Sequence, residues 1–202
     1  SLLFVSAADT LLAFGRNNLK ANLGITAVLH TWSQNLLDHY HLHCVVTGGG
    51  LALDGQQWVS LNDRWLFPVR ALSLVFRAKF RDGLQQLFDE GQLQFPKAEP
   101  QLADPAVFTR WWHHLCRHKW VVYAKRPFAG PPAVLAYLCR YTHRVAITNR
   151  RLQALDPQTG TITFQYKDYA NGSQIRAMTL QQPEFLRRFC LHILPPRFVK
   201  IR

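Results

Sequence analysis

Two histidines, His41 and His43, stand two positions apart in a segment whose composition predicts a β-strand. That segment, HLHCVVTGGGLAL from His41 to Leu53, is rich in apolar and β-branched residues. Side chains two positions apart on a strand project from the same face, so both imidazoles can converge on one metal ion. The alternative is a pair of half-exposed strand histidines that bind nothing.

A third histidine, His30, ends the preceding strand-like run from Gly24. An antiparallel hairpin around the short polar stretch Ser33–Asp38 would bring His30 across from His41 and His43. The sequence therefore predicts that three imidazoles meet. His39 precedes the predicted strand and is interpreted as a solvated turn residue.

Two tyrosines, Tyr137 and Tyr141, are four positions apart in a helix predicted over Ala133–Thr142, so both phenols lie on one face. A phenol has a pKa of about 10 and needs nearby cations to stabilise its phenolate. With a metal and the neighbouring Arg140 and Arg144, such a phenol could attack a phosphodiester in line and store its bond energy as a 5′-phosphotyrosine. The alternative is an aromatic stripe that only packs.

The remaining chain predicts interleaved strands and helices joined by tight turns. We expect helices over 70–90, 106–117 and 183–194, and strands over 57–61, 120–125, 151–155, 161–169 and 174–180. No repeat or low-complexity tract interrupts this order. The fold class is α+β with a largely antiparallel sheet.

The charge balance points to a polyanionic partner. Twenty-four Lys and Arg face twelve Asp and Glu, giving a net charge of +12 that is spread along the chain. Lys125, at the end of a predicted strand, could contact a phosphate or could be an ordinary exposed lysine. No stretch approaches the ~20 apolar residues of a spanning helix, and the four cysteines form no C-x-x-C pair, so we expect no membrane partner and a cytoplasmic location.

Four motifs together resemble a known family: HLHCVVTGGGL, AYLCRYTHRVAI, FQYKDYANG and EFLRRFCLHILPPRFVKIR. In this order they are similar to the rolling-circle transposases typified by insertion sequence ninety-one, a branch of the HUH (His-hydrophobe-His) nucleases. The resemblance runs from about Gly24 to the last residue.

This resemblance implies an HUH-nuclease-like fold in which an antiparallel sheet carries the histidines and the tyrosine helix packs alongside. His41 and His43 match the metal pair, and Tyr137 and Tyr141 match the nucleophile pair. Related relaxases place a third histidine on the preceding strand, here His30, whereas other HUH enzymes use Gln, Glu or Asp. The implied cofactor is Mg²⁺ or Mn²⁺, with no small-molecule cofactor, and the implied partner is single-stranded DNA at transposon ends.

Two other functions remain open from the sequence. A plasmid relaxase or replication initiator would use the same chemistry on another DNA target, and a noncatalytic basic nucleic-acid-binding domain would keep the charge with inert histidines. We expect residues 1–23 to form a helical or linker appendage and residues 24–202 to form the catalytic domain. The family usually carries a cysteine-rich zinc-binding segment ahead of its core, and this sequence shows none. Because the sequence lacks an initiator Met and ends abruptly in FVKIR, we expect it to be a piece of a longer chain, which we expect to be nucleoid-associated.

Overall fold

A computed structural model describes residues 1–61, 66–142, 145–169 and 171–202. Within these ranges the chain forms five α-helices and six strands, which confirms the predicted α+β class. The helices are α1 (Leu2–Phe14), α2 (Val69–Asp89), α3 (Pro105–Arg117), α4 (Pro131–Thr142) and α5 (Gln182–Cys190). The strands are β1 (Ala21–Trp32), β2 (Asp38–Ala52), β3 (Trp58–Ser60), β4 (Leu152–Asp156), β5 (Thr161–Asp168) and β6 (Gln174–Gln181).

The strands form two three-stranded antiparallel sheets, ordered β1-β2-β3 and β4-β5-β6. In the first, Gly50 of β2 pairs with Val59 of β3, so the predicted return strand after the Asp54-Gly55 turn is confirmed. In the second, β5 pairs with β6 over its whole length, from Thr161↔Gln181 to Asp168↔Gln174.

The chain divides into two compact units, one made of 1–25 and 46–128 and the other of 26–45 and 129–202. β1 and β2 each contribute residues to both units. No helix in the described part of the chain is long and apolar enough to span a membrane. The prediction that residues 1–23 are an appendage to a catalytic domain stays a prediction.

Each unit has its own apolar core. In the first unit, Leu23, Phe67 and Leu72 are buried together and pack against side chains of α1, β1 and β2. In the second, Leu36, Ala146, Phe164 and Phe185 form the buried centre. Phe164 is fully buried because the inward face of β5 packs on α5, where its ring lies 5.6 Å from that of Phe185. Burial of such side chains is the main source of fold stability.

The prediction of a strand over 120–125 is wrong. These residues have no regular secondary structure, although their exposure alternates as in a strand. Trp120 packs between Phe76 and Phe80 of α2, with ring centroids 5.4 and 5.1 Å away, and Val122 joins the core of the first unit. The alternation that predicts a strand therefore arises from packing on a helix, not from a sheet ladder.

Candidate active site

β1 and β2 bring three histidines together in the second unit. His30 is buried in β1, and His41 and His43 are half-buried in β2. One ring nitrogen from each histidine lies within 4.8 Å of the other two. The three imidazoles therefore meet as the hairpin geometry predicts.

Hydrogen bonds to backbone carbonyls fix which nitrogen carries the hydrogen in two of these rings. His30 Nε2 lies 3.0 Å from the carbonyl oxygen of Tyr141, and His41 Nδ1 lies 2.7 Å from that of His39. A carbonyl oxygen only accepts, so these nitrogens carry the hydrogens. His30 is left with a lone pair on Nδ1 and His41 with one on Nε2, the arrangement in which an imidazole ligates a metal.

The donor set fits a divalent cation. His41 Nε2 and His43 Nε2 are 3.2 Å apart. Two nitrogen lone pairs at this distance repel each other unless a proton or a cation lies between them, and a metal held by both nitrogens removes that repulsion. The described part of the chain holds no other group of three or more His, Cys, Asp or Glu side chains so arranged.

Helix α4 places both tyrosines beside the histidines. Pro131 and Pro132 open the helix, where proline costs no intrahelical hydrogen bond. Tyr137 and Tyr141 follow on one face, with ring centroids 4.3 Å apart. The Tyr141 ring lies 4.0 Å from the His43 ring, and the Tyr137 hydroxyl lies 3.0 Å from His43 Nδ1. The tyrosines therefore pack as a stripe and also present a hydroxyl to the cluster.

The environment of Tyr137 keeps its phenol protonated at neutral pH. Burial, followed by the nearby Tyr141 and Cys44, raises the pKa of Tyr137 to about 12. Burial likewise raises the pKa of the Cys44 thiol to about 11. An attack by the Tyr137 oxygen therefore requires that neighbouring groups stabilise the negative charge as the proton leaves.

The turn between β1 and β2 is held by residues far along the chain. Arg151 donates to the carbonyl oxygen of Gln34, and Arg188 Nη1 donates to that of Asn35 at 3.2 Å. The buried His192 uses both ring nitrogens, with Nε2 3.0 Å from the Leu36 carbonyl oxygen and Nδ1 3.1 Å from the Thr31 hydroxyl. These contacts fix the spacing between the strand that carries His30 and the strand that carries His41.

A stacked pair supports the other side of His30. The Trp32 ring lies 4.8 Å from the His30 ring at an interplanar angle of 14°, and the Lys200 ammonium lies 5.4 Å from the Trp32 centroid. The Lys200 carbonyl accepts from the Leu29 amide at 3.0 Å, so this segment pairs along β1. Burial lowers the pKa of Lys200.

Two of the three predicted DNA-contacting residues belong to different compact units. Arg140 is exposed on α4 in the second unit, Lys125 is exposed in the first unit, and Arg144 lies outside the described residues. The expectation that His39 precedes the strand is wrong, because β2 begins at Asp38. His39 is exposed, and its carbonyl orients His41.

The sequence interpretation missed His192, Trp32, Arg151 and Arg188. Nothing in their spacing relative to His30 or His41 predicts contact, since Thr31 and His192 are 161 positions apart. The one signal was that His192 and Arg188 fall in the motif EFLRRFCLHIL, which carries part of the family resemblance.

Comparison with known proteins gives a consistent result. A family profile described as "Putative transposase" (Y2_Tnp) matches residues 24–202. The chain is 48% identical over its whole length to "Putative transposase y4qJ" of Sinorhizobium fredii, covering 50% of that protein. It is 31% identical over 99% of its length to "Transposase for insertion sequence element IS801" of Pseudomonas savastanoi pv. phaseolicola, covering 47% of it.

The chain thus spans about half the length of the curated relatives it matches. No solved structure matches it significantly. The profile covers both sequence motifs that supply the clustered side chains, the H-x-H of β2 and the paired tyrosines of α4. The resemblance stated from the motifs is confirmed, and the chain belongs to the Y2_Tnp family of transposases.

Proposed function

We propose that this chain cleaves and rejoins single-stranded DNA at transposon ends, in rolling-circle transposition, by a metal-dependent tyrosine mechanism. The observation that carries the proposal is the position of His43. One of its nitrogens faces the histidine cluster, and the other lies 3.0 Å from the Tyr137 hydroxyl. A single side chain therefore links the candidate metal ligands to the candidate nucleophile.

His30 through Nδ1, and His41 and His43 through Nε2, would hold Mg²⁺ or Mn²⁺. When bound, the ion supplies charge neutralisation of the non-bridging phosphate oxygens and of the leaving oxygen. Three imidazoles would leave room for oxygen ligands, which both ions favour and which a DNA phosphate would supply.

The Tyr137 oxygen would attack phosphorus. The bond from the phenolic oxygen to phosphorus forms as the bond from phosphorus to the 3′ oxygen breaks, giving a 5′-phosphotyrosine. The phenol loses its proton and the departing 3′ oxygen gains one, so the step consumes neither water nor ATP. The 3′-hydroxyl of an acceptor strand can reverse the step and rejoin DNA.

His43 assists this transfer through its second nitrogen. With Nε2 committed to the cluster, the neutral ring carries its hydrogen on Nδ1 and donates it to the Tyr137 oxygen. Donation to the oxygen favours the phenolate and so opposes the effect of burial on the Tyr137 pKa. Tyr141, packed on the same imidazole, would serve as the nucleophile of a second, linked cleavage.

Basic side chains would bind the DNA backbone. The net charge of +12 favours a polyanion, and Arg140, Arg144 and Lys125 are our proposed phosphate contacts. Transposon DNA in the bacterial cytoplasm, associated with the nucleoid, would be the natural target.

The test is a denaturing-gel assay for a covalent protein–DNA adduct with labelled single-stranded transposon-end oligonucleotides, Mn²⁺ and an EDTA control. Wild type should form an adduct only with metal, and the Tyr137→Phe/Tyr141→Phe double variant should form none. Tyr169→Phe, which removes the hydroxyl of an exposed tyrosine elsewhere in the same unit, is the matched control and should react like wild type.

The full-length relative from Sinorhizobium fredii, tested in the same adduct assay, serves as the positive control. An adduct that persists in EDTA, or in the double variant, would refute the mechanism. No adduct from either protein would favour the noncatalytic DNA-binding alternative, and a preference for plasmid-origin over transposon-end oligonucleotides would favour the relaxase alternative.

A further inference from the structure

The segment His118–Phe128 of the first unit carries a row of exposed apolar and cationic side chains. From Lys119 to Lys125 the chain alternates exposed and half-buried residues. A period of two is that of an extended chain, so the exposed members share one face. We call this face the outer row; it consists of Lys119, Val121, Tyr123 and Lys125.

The other face of the segment is anchored. The Trp120 ring packs on Phe76 and Phe80 of α2, and the Trp120 carbonyl accepts the Ser73 hydroxyl. Val122 packs in the core of the first unit. The outer row is therefore presented by a fixed backbone, which lowers the entropic cost of binding.

The outer row is apolar and cationic at once. Val121 is 90% exposed and Tyr123 is 79% exposed, although both residue types usually gain by burial. A lysine stands at each end. From Pro105 to Leu155 the sequence contains no Asp or Glu, so no carboxylate of this stretch competes for the lysines.

We propose that the outer row binds single-stranded DNA, with a base stacked on Tyr123 and phosphates on Lys119 and Lys125. A tyrosine ring offers a stacking face to any base, and bases are available for stacking only where strands are unpaired. The binding surface is a separate element from the histidine and tyrosine site and extends the proposed function from chemistry to strand capture.

Fluorescence anisotropy of labelled oligo(dT), with the 202-residue chain and EDTA present, tests this surface without cleavage. Tyr123→Ala should weaken binding by about tenfold, whereas Tyr123→Phe, which keeps the ring, should bind like wild type. Lys119→Ala and Lys125→Ala should each reduce the slope of log affinity against log salt by about 0.7. Lys97→Ala, an exposed lysine elsewhere in the same unit, is the matched control and should leave the slope unchanged.

Thermal melts should show no change, because all the replaced side chains are exposed. The proposal would be overturned if Tyr123→Ala bound oligo(dT) as tightly as wild type does. It would also be overturned if Lys97→Ala lowered the salt slope as much as Lys119→Ala and Lys125→Ala do. Equal binding of duplex DNA with the same dependence on Tyr123 would overturn the single-strand preference. This inference rests on the proposed function for the choice of single-stranded DNA, but its test does not depend on cleavage. The oligo(dT) assay contains EDTA, so a chain that forms no adduct can still be scored for binding, and failure of the outer row is distinguishable from failure of the tyrosine mechanism.

Discussion

His30 Nε2 donates to the backbone carbonyl of Tyr141 at 3.0 Å, so the buried histidine of β1 is tied to the main chain of α4. The contact spans 111 positions of sequence. It assigns the hydrogen of His30 to Nε2 and, in the same bond, holds the end of the helix that carries both tyrosines. The proposed metal ligands and the proposed nucleophiles are thereby linked by a direct hydrogen bond.

Replacing His30 should weaken metal binding. His30→Ala removes one of three clustered nitrogens, and we expect the Mn²⁺ affinity to fall by more than ~10-fold, as measured by electron paramagnetic resonance or calorimetry. His114→Ala, in the exposed face of α3, should bind Mn²⁺ like wild type. Unchanged affinity in His30→Ala would restrict the site to His41 and His43.

Removing the buried His192 should destabilise the chain and loosen the site. His192→Ala leaves the Leu36 carbonyl and the Thr31 hydroxyl without this partner, which costs about 2–4 kcal/mol of unfolding free energy. Urea denaturation measures this cost. His192→Gln keeps a donor and an acceptor and should lose less; equal losses would show that shape, not hydrogen bonding, matters here.

Gly48 and Gly50, the first and last of three consecutive glycines in β2, should respond differently to replacement by alanine. A Cβ at Gly50 would lie 2.4 Å from the backbone oxygen of Asn22 in β1, whereas a Cβ at Gly48 meets nothing within 4 Å. Gly50→Ala should therefore lower the free energy of unfolding by about 2 kcal/mol or more, because a backbone oxygen cannot move away as the end of a flexible side chain can. Gly48→Ala should change it by no more than ~1 kcal/mol. Chemical denaturation of the two variants side by side decides this, and similar stabilities would contradict the strand spacing.

Acid should remove a stabilising contact at Glu184. Hydrogen bonds from Arg187 and Arg188 hold the pKa of this carboxyl at about 2, below its ordinary value. The folded state thus favours the ionised form, and its contribution is complete above the unfolded pKa of about 4.3 and lost as pH falls toward 2. The melting temperature of Glu184→Gln should lie below that of wild type at pH 7 and converge with it near pH 2. A gap that persists at pH 2 would point to packing.

The sequence predicted the clustered histidines and tyrosines better than the residues that hold them in position. Strand periodicity and a hairpin suffice to bring His30 to His41 and His43, and helical spacing suffices to align Tyr137 with Tyr141, because these are local rules. The contacts of Arg151, Arg188 and His192 with the turn are tertiary, and no local pattern encodes them. Leu36 shows the limit well: it has a positive φ of 62° and is fully buried, a conformation that nothing in its neighbours' identity predicts.

The same limit explains the wrong strand at 120–125. Apolar alternation reports only that one face is covered, and α2 covers it here instead of a neighbouring strand. The division of strands between two sheets is likewise set by which partners meet after long connections, which local propensity does not determine.

The residues that contact the turn between β1 and β2 are far from it in sequence, and this separation affects the order in which the fold can form. During synthesis the histidines emerge first, the tyrosines about a hundred residues later, and His192 later still. Because contacts this distant must overcome loop-closure entropy before they repay it, we expect the contacts of Arg188 and His192 with this turn to form late in folding. A ribosome-bound chain that has not yet reached His192 would therefore hold its histidines and tyrosines without the His192 contacts to Leu36 and Thr31.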